Sequence, residues 1–308
     1  MDAASTAPPQ PLRVAVAGAS GLIGSALVRR LERDGHTVLR LVRRDPRGAG
    51  EARWDPASGS VDAGALAGVD AVVNVAGENV GERWTGERRR IRASRVEGTR
   101  LLAEAMAGLQ PKPRVLVNAS AVGIYGERGD ERVDEMSPGG EGFLAEVVRE
   151  WEAATAPASG AGIRVVLPRM GVVLSARGGA LAKMLTPFRL GAGGTMGSGR
   201  QWMSWVSLDD AVDVMYLSLV DERLTGPVNV VAGAVTNEQF TRTLARVLNR
   251  PAFVPVPAFA LKLAFGDMAK ETILISQRVE HRKLTQLGYS FAHPELEGAL
   301  RAALKEKN

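Results

Sequence analysis

The chain has 308 residues, 45% of them hydrophobic, with 39 Lys and Arg against 34 Asp and Glu and a formal charge of +5. That length and apolar content can bury a large core in one α/β domain, or one plus a smaller partner, and argue against disorder as the general state. With no cysteine and only three histidines, disulfides and thiolate metal sites are excluded and a transition-metal centre is not expected.

Residues 1–11, MDAASTAPPQP, are Ala/Pro-rich and lack a basic n-region and an apolar h-region, so they read as a flexible tail. No apolar run reaches the length of a membrane span. The expectation is a cytoplasmic protein without membrane contact. Arg13 to Ala17 has the continuous β-branched character of a buried parallel strand, and Leu22, Ile23, Ala26, Leu27 and Leu31 then recur at helical spacing. Between them lie Gly18, Gly21 and Gly24, at GxxGxxG spacing. In a strand–turn–helix these glycines turn the chain, let backbone approach a pyrophosphate, and let helix and sheet pack closely. The N–H groups of Ser20, Gly21, Leu22 and Ile23 then point at the phosphates, with the positive end of the helix behind them.

A second strand, Thr37 to Val42, ends in Arg43 and Arg44. An acid at this position binds the ribose 2′-hydroxyl of NAD, whereas arginine accommodates the 2′-phosphate of NADP through charge-assisted bonds. NADP(H) is therefore the expected cofactor, although Asp45 just beyond keeps NAD open. A third strand near Ala52 to Pro56 carries Trp54, read either as a stacking partner for the adenine or as core. Strand Ala71 to Val75 stops at Ala76-Gly77-Glu78-Asn79, small residues at a carboxyl end, where open α/β sheets bind ligands.

Helix Glu87 to Ala107 carries Arg88, Arg89, Arg90, Arg92 and Arg95 without interleaved aromatics. It reads as an exposed amphipathic face, and no nucleic-acid partner is expected. Arg114 to Asn118 is the next strand, leading to Ser120 and Tyr125. Phe143, Val147 and Trp151 then mark the core stripe of a helix. A strand at Ile163 to Leu167 reads as broken by Pro168-Arg169, and a Gly-rich stretch follows up to Gly199. Trp202 and Trp205 suggest a retained small-molecule pocket, and Ser207 an N-cap. Val228 to Val231 is expected to rejoin the sheet and Phe253 to Val256 to form a Pro-punctuated strand. The alternation predicts a Rossmann-type doubly wound parallel sheet over 12–235 with a small C-terminal, substrate-side domain over 236–308.

The motifs AGASGLIG at Ala17, NVAGENV at Asn74, SRVEGTRLL at Ser94, SAVGIYG at Ser120, SPGGEGFLAEV at Ser137 and GSGRQWMSWVSLDD at Gly197 resemble the extended short-chain dehydrogenase/reductase superfamily, which includes nucleotide-sugar epimerases and dehydratases. More narrowly the chain resembles its atypical, cell-division-inhibitor-like branch, which ends in a small domain of unassigned role. The resemblance implies an NADP(H)-binding Rossmann fold and Ser120 as the substrate-polarising hydroxyl. The superfamily's Tyr-x-x-x-Lys pair is replaced by Phe143 and Val147, neither of which carries a proton, and its helix asparagine by Arg95. Two expectations follow. In one, the protein is a weak oxidoreductase or epimerase on an unknown small molecule, with Ser120 holding a substrate oxygen and Tyr125, activated by Arg95, transferring the proton; Glu78 is the alternative base, and Arg95 otherwise contacts cofactor phosphate. In the other, it is a non-enzymatic NADP(H)-binding sensor. A homodimer or a protein partner stays open in both.

Overall fold

The computed structural model describes residues 11–84 and 86–305, so the expected tail, but for Pro11, lies outside the described residues. β1 (Arg13–Ala17) is buried from Val14 onward and feeds α1 (Leu22–Arg33), whose inward face is Leu27, Val28 and Leu31. β2 (Thr37–Val42), β3 (Glu51–Asp55) and the short β4 (Ser60–Val61) follow, then α2 (Ala63–Leu66) and β5 (Ala71–Asn74). α3 (Glu87–Gly108) leads to β6 (Val115–Asn118), β7 (Ser120–Ala121) and, after a single 3₁₀ turn over Val122–Tyr125, β8 (Arg132–Val133). α4 (Phe143–Ala153) and α5 (Ala156–Gly160) precede β9 (Arg164–Met170) and β10 (Val172–Leu174). α6 (Gly179–Arg189), β11 (Trp202–Ser207), α7 (Leu208–Val220), β12 (Gly226–Val230) and β13 (Gly233–Thr236) come next, followed by α8 (Asn237–Leu248), α9 (Ala258–Phe265), β14 (Arg278–Val279), α10 (Arg282–Leu287) and α11 (Leu296–Lys305).

The main sheet runs β12-β9-β6-β5-β1-β2-β3-β4, with β7 also on β9. Every pairing is parallel except β3–β4. Chain order reverses at β1, which pairs with β2 on one side and β5 on the other; ligand crevices open at the carboxyl ends of the strands at such a point. Each face of the sheet is covered, as continuous apolar strands require. α1 and α7 bury one face through Leu27, Leu31, Val214 and Met215, while α3 buries the other through Leu102, Ala103 and Met106.

β9 does not break at Pro168 as expected. β6 pairs with β9 up to Val166 and β7 resumes at Arg169, so Pro168 occupies the step between two partners, where a missing N–H costs no ladder bond on that side. The expected strand at 253–256 is not one either. It contributes a bridge between Val256 and Met196 and backbone bonds from Val254 and Val256 to Gly193 and Thr195. Ser207 is the expected N-cap, accepting from the Asp210 N–H at 3.0 Å.

The expected boundary at residue 236 coincides with a capping box formed by Thr236 and Gln239 at the start of α8. Side chains from both sides of it also pack together. Leu174, Leu181 and Trp205 from before it pack with Phe240, Leu244 and Leu300 from after it, and Leu284 of α10 returns to the core of the main sheet.

Candidate functional site

The turn between β1 and α1 is built by backbone contacts that leave no room for side chains. Gly18 has φ +80, and a Cβ there would stand 2.7 Å from the Ala76 nitrogen, so the loop lies directly on the end of β5. At Gly24 a Cβ would come within 2.1 Å of the Gly18 carbonyl oxygen. Gly21 differs: its backbone is extended, it meets only the Gly18 oxygen at 3.3 Å, and it is an N-cap with no side-chain hydrogen bond to the helix amides. The first-turn N–H groups of a helix have no intrahelical partner, so those of Leu22 and Ile23 have none capping them from a side chain. Ser20 and Gly21 are exposed while Leu22 and Ile23 lean onto the core.

This loop forms one wall of a cleft of about 970 Å³, shared with the ends of β2 and β5, Trp54 to Ala57, and one face of α3. Its far end holds the two candidate phosphate-reading arginines, and they are not equivalent. Arg44 is committed to Glu51 through bonds of 2.7 and 2.5 Å, and that guanidinium, with the Arg47 N–H, drives the Glu51 carboxyl down to about 2. Arg43 is 75% exposed, and its nearest acid is Glu78 at 3.8 Å. Asp45 pairs with Arg53 at 2.5 Å. Trp54 lines the cleft but is 3% exposed, its indole packed in the core against the Gly98 position of α3. Of the two readings of Trp54, burial favours core over an open stacking face.

Below the mouth, the end of β5 is fixed by a buried polar network that the sequence reading missed. Asn74 donates to Thr99 at 2.9 Å and to Asn118 at 2.8 Å and accepts from the Ala76 N–H, while Trp151 donates to Thr99 at 2.8 Å. A polar residue closing an otherwise apolar strand, as in VVN and VLVN, is the signal that marks it. Ala76 and Gly77 line the cleft. Arg95 lies over Gly77, donates to the Glu78 carbonyl at 3.0 Å, and rests on the Trp151 ring at 5.2 Å. Burial pulls its pKa down to about 10, which leaves it cationic at neutral pH. Glu78 stays near half exposed at the rim, so the desolvation that a general base needs is missing.

The expected partnership of Tyr125 with Arg95 does not occur. Tyr125 is 0% exposed, donates to Asn229 at 2.8 Å and receives a bond from Arg169 at 3.0 Å. Burial raises its pKa despite the neighbouring guanidinium, the wrong direction for a proton acceptor at neutral pH. Ser120 donates to Glu152 at 2.6 Å, and both oxygens of that carboxylate are held by Arg169 at 2.8 Å. Burial lowers the Arg169 pKa, but the hydrogen bonds and charge of Glu152 outweigh it and hold the guanidinium above its ordinary value. Of the replaced Tyr-x-x-x-Lys positions, Val147 is core, as expected. Phe143 is only half-buried, edge-on to Trp84 with Arg88 over its ring. The two tryptophans expected to line a pocket do not face this cleft. Trp205 is 1% exposed among Leu174, Leu181, Phe240 and Leu244, and Trp202 is bonded to Asp130 at 2.8 Å with Arg278 stacked on it at 4.1 Å. Two of the arginines of α3 are engaged in ion pairs, Arg88 with Asp267 and Arg92 with Glu150.

Comparison with known proteins assigns this arrangement. The NAD dependent epimerase/dehydratase family matches residues 14–232, and a domain of unknown function (DUF1731) matches residues 256–303. An epimerase family protein of Mycobacterium bovis is 46% identical over 290 residues, covering 93% of this chain and 96% of the relative. The crystal structure of the human epimerase family protein SDR39U1 (isoform 2) with NADPH superposes with a TM-score of 0.87 at 36% identity, covering 96% of this chain and 100% of that one. A nucleoside-diphosphate sugar epimerase from Corynebacterium glutamicum does so at 0.79 and 38% identity, covering 95% of this chain and 59% of that one. With its glycine turn, its crevice at the β1–β5 reversal and a family match across its whole main sheet, the chain belongs to the NAD dependent epimerase/dehydratase family.

Proposed function

We propose that the cleft between β1 and β5 binds NADP(H), and that the chain is an epimerase/reductase-like protein with weak oxidoreductase activity on a small molecule. The observation that carries the cofactor choice is the inequality of the two arginines: Arg44 is consumed by Glu51, while Arg43 stands exposed at the cleft mouth with no acid among the described residues closer than 3.8 Å. A guanidinium so placed can take a 2′-phosphate without first breaking a tight ion pair. The NADPH in the human relative supports the same choice. The residues fit such a group. The uncapped amides at Leu22 and Ile23 suit a diphosphate, and Gly21 allows its close approach.

The bound cofactor would supply or accept a hydride; everything else falls to this chain. Ala76 and Gly77, locked by Asn74 and roofed by Arg95, fix the floor of the cleft. Ser120 is the hydroxyl that opens β7, and its proton is directed to Glu152. General acid/base catalysis typically contributes about 10²- to 10⁴-fold, and with Phe143 and Val147 at the proton-relay positions this chain lacks its usual carriers. A slow enzyme is the consequence. The second reading, a non-enzymatic NADP(H)-binding sensor, is favoured by the engagement of both Ser120 and Tyr125 with buried partners.

Fluorescence titration tests the cofactor choice: NADPH should bind at least about tenfold more tightly than NADH, and Arg43→Ala should remove most of that preference. Equal affinities in the unaltered protein would defeat it. Incubation of protein and NADPH with cell extract separates the two readings. Protein-dependent NADPH oxidation that falls in Ser120→Ala supports the enzyme, and no oxidation with any metabolite pool supports the sensor.

A further inference from the structure

Six of the seven large apolar side chains exposed among the described residues fall in two stretches: Leu190 at the end of α6, and Phe253, Val254, Phe259, Leu263 and Phe265 in and before α9. These stretches run side by side, tied by the Val254 and Val256 N–H bonds to Gly193 and Thr195 and by Arg250 donating to the Arg189 carbonyl. On α9, Phe259 at 73% and Leu263 at 76% exposure are one helical turn apart, and Leu261 on the opposite side is buried. α9 therefore anchors itself by one residue and turns its larger apolar face outward. A soluble monomer rarely leaves such residues together without a partner.

The charge pattern says what kind of partner. No aspartate or glutamate stands between Glu238 and Asp267, nor between Glu152 and Asp209, so both stretches belong to acid-free segments. Arg189, Arg250 and Lys262 are exposed in them. Among the described residues none of the three makes an ion pair with a carboxylate. Apolar side chains surrounded by unpaired cations complement a surface that offers hydrocarbon beneath a layer of negative charge. A second copy of the chain meets the apolar half of that requirement only, because a two-fold contact would bring the same cations face to face.

We propose that this face docks on anionic lipid bilayers, with Phe259, Leu263 and Phe253 entering the interface and Arg189, Arg250 and Lys262 contacting headgroups. No helix among the described residues is long and apolar enough to cross a membrane, and peripheral docking needs none. Such docking departs from the expectation of a chain without membrane contact.

The test is co-sedimentation of the full chain with phosphatidylcholine vesicles and with vesicles in which part of that lipid is replaced by phosphatidylglycerol. The chain should pellet with the anionic vesicles, remain in solution with the neutral ones, and be released as salt rises. The exposed-site variants Phe259→Ser/Leu263→Ser and Arg189→Glu/Lys262→Glu should each lower the vesicle partition about tenfold or more. Both should keep the parent's thermal midpoint, checked by circular dichroism. Equal pelleting with both lipids, no pelleting with either, or variants that pellet like the parent would overturn the proposal. So would a concentration-dependent dimer in sedimentation velocity that the apolar double substitution abolishes, since a second copy would then cover the face.

Discussion

The three glycines of the β1–α1 turn carry different loads, and one methyl group separates them. A Cβ at Gly24 would sit 2.1 Å from a backbone oxygen that cannot move away, while at Gly21 the contact is 3.3 Å and the remaining space opens to the cleft. Gly24→Ala should therefore destabilise the fold by about 1–3 kcal/mol, the cost of overpacking, seen as a lowered thermal midpoint. Gly21→Ala should leave that midpoint close to the parent's and instead weaken NADPH binding about tenfold, or about 1.4 kcal/mol. A variant pair with the opposite assignment would mean that the helix, not the ligand, needs the middle glycine. At the cleft's far end, the Glu51 carboxyl is lowered from 4.5 to about 2 by Arg44. A depressed folded-state pKa stabilises the protein above the unfolded value and ceases to do so as pH falls through the folded one. Thermal midpoints of the parent and Glu51→Gln should differ at neutral pH and converge between pH 4.5 and about 2.

At the scale of elements, α4 illustrates a helix completed from far away in the chain. Its N-cap is Gly142 at φ 108, which offers no side chain. The carboxylate of Glu271 supplies the missing acceptors, taking the N–H groups of Phe143 at 3.1 Å and Leu144 at 3.0 Å. An acid at a helix N-terminus also meets the positive end of the helix dipole. Glu271→Ala should thus cost about 1–2 kcal/mol in denaturant unfolding, in the range for loss of an N-cap. Glu271→Gln should recover part of the loss, because its amide oxygen still accepts. The same contact ties the segment after α9 to the start of α4.

Across the whole molecule, Ser120, Glu152, Arg169, Tyr125 and Asn229 form one buried chain of hydrogen bonds from β7 to β12, and Asn229 passes it on to the Glu280 carbonyl beside β14. With side chains only 8% and 12% exposed, Arg169 and Glu152 depend on each other for solvation. Removing one partner leaves an uncompensated buried charge, a loss of about 3–5 kcal/mol, whereas replacing both by apolar groups is far milder. Arg169→Met should therefore lower unfolding free energy strongly, and Arg169→Met/Glu152→Leu should regain much of it. A double variant as unstable as the single one would assign the loss to packing.

Sequence alone determined the strand–turn–helix at Arg13–Arg33, the order of the parallel strands' segments and the arginines after β2, because each is a local matter of periodicity or of glycine backbone freedom. It also placed Phe143 and Val147 where the family resemblance implies a Tyr-x-x-x-Lys pair. Only the tertiary structure decided that Arg44 belongs to Glu51 and leaves Arg43 exposed, that Tyr125 is buried with Arg169, and that Trp54 and Trp205 belong to the core. Those facts depend on residues brought together from distant parts of the chain, and no spacing along it encodes which of several possible partners a guanidinium, phenol or indole will meet. Pairing and burial are properties of the packed sheet.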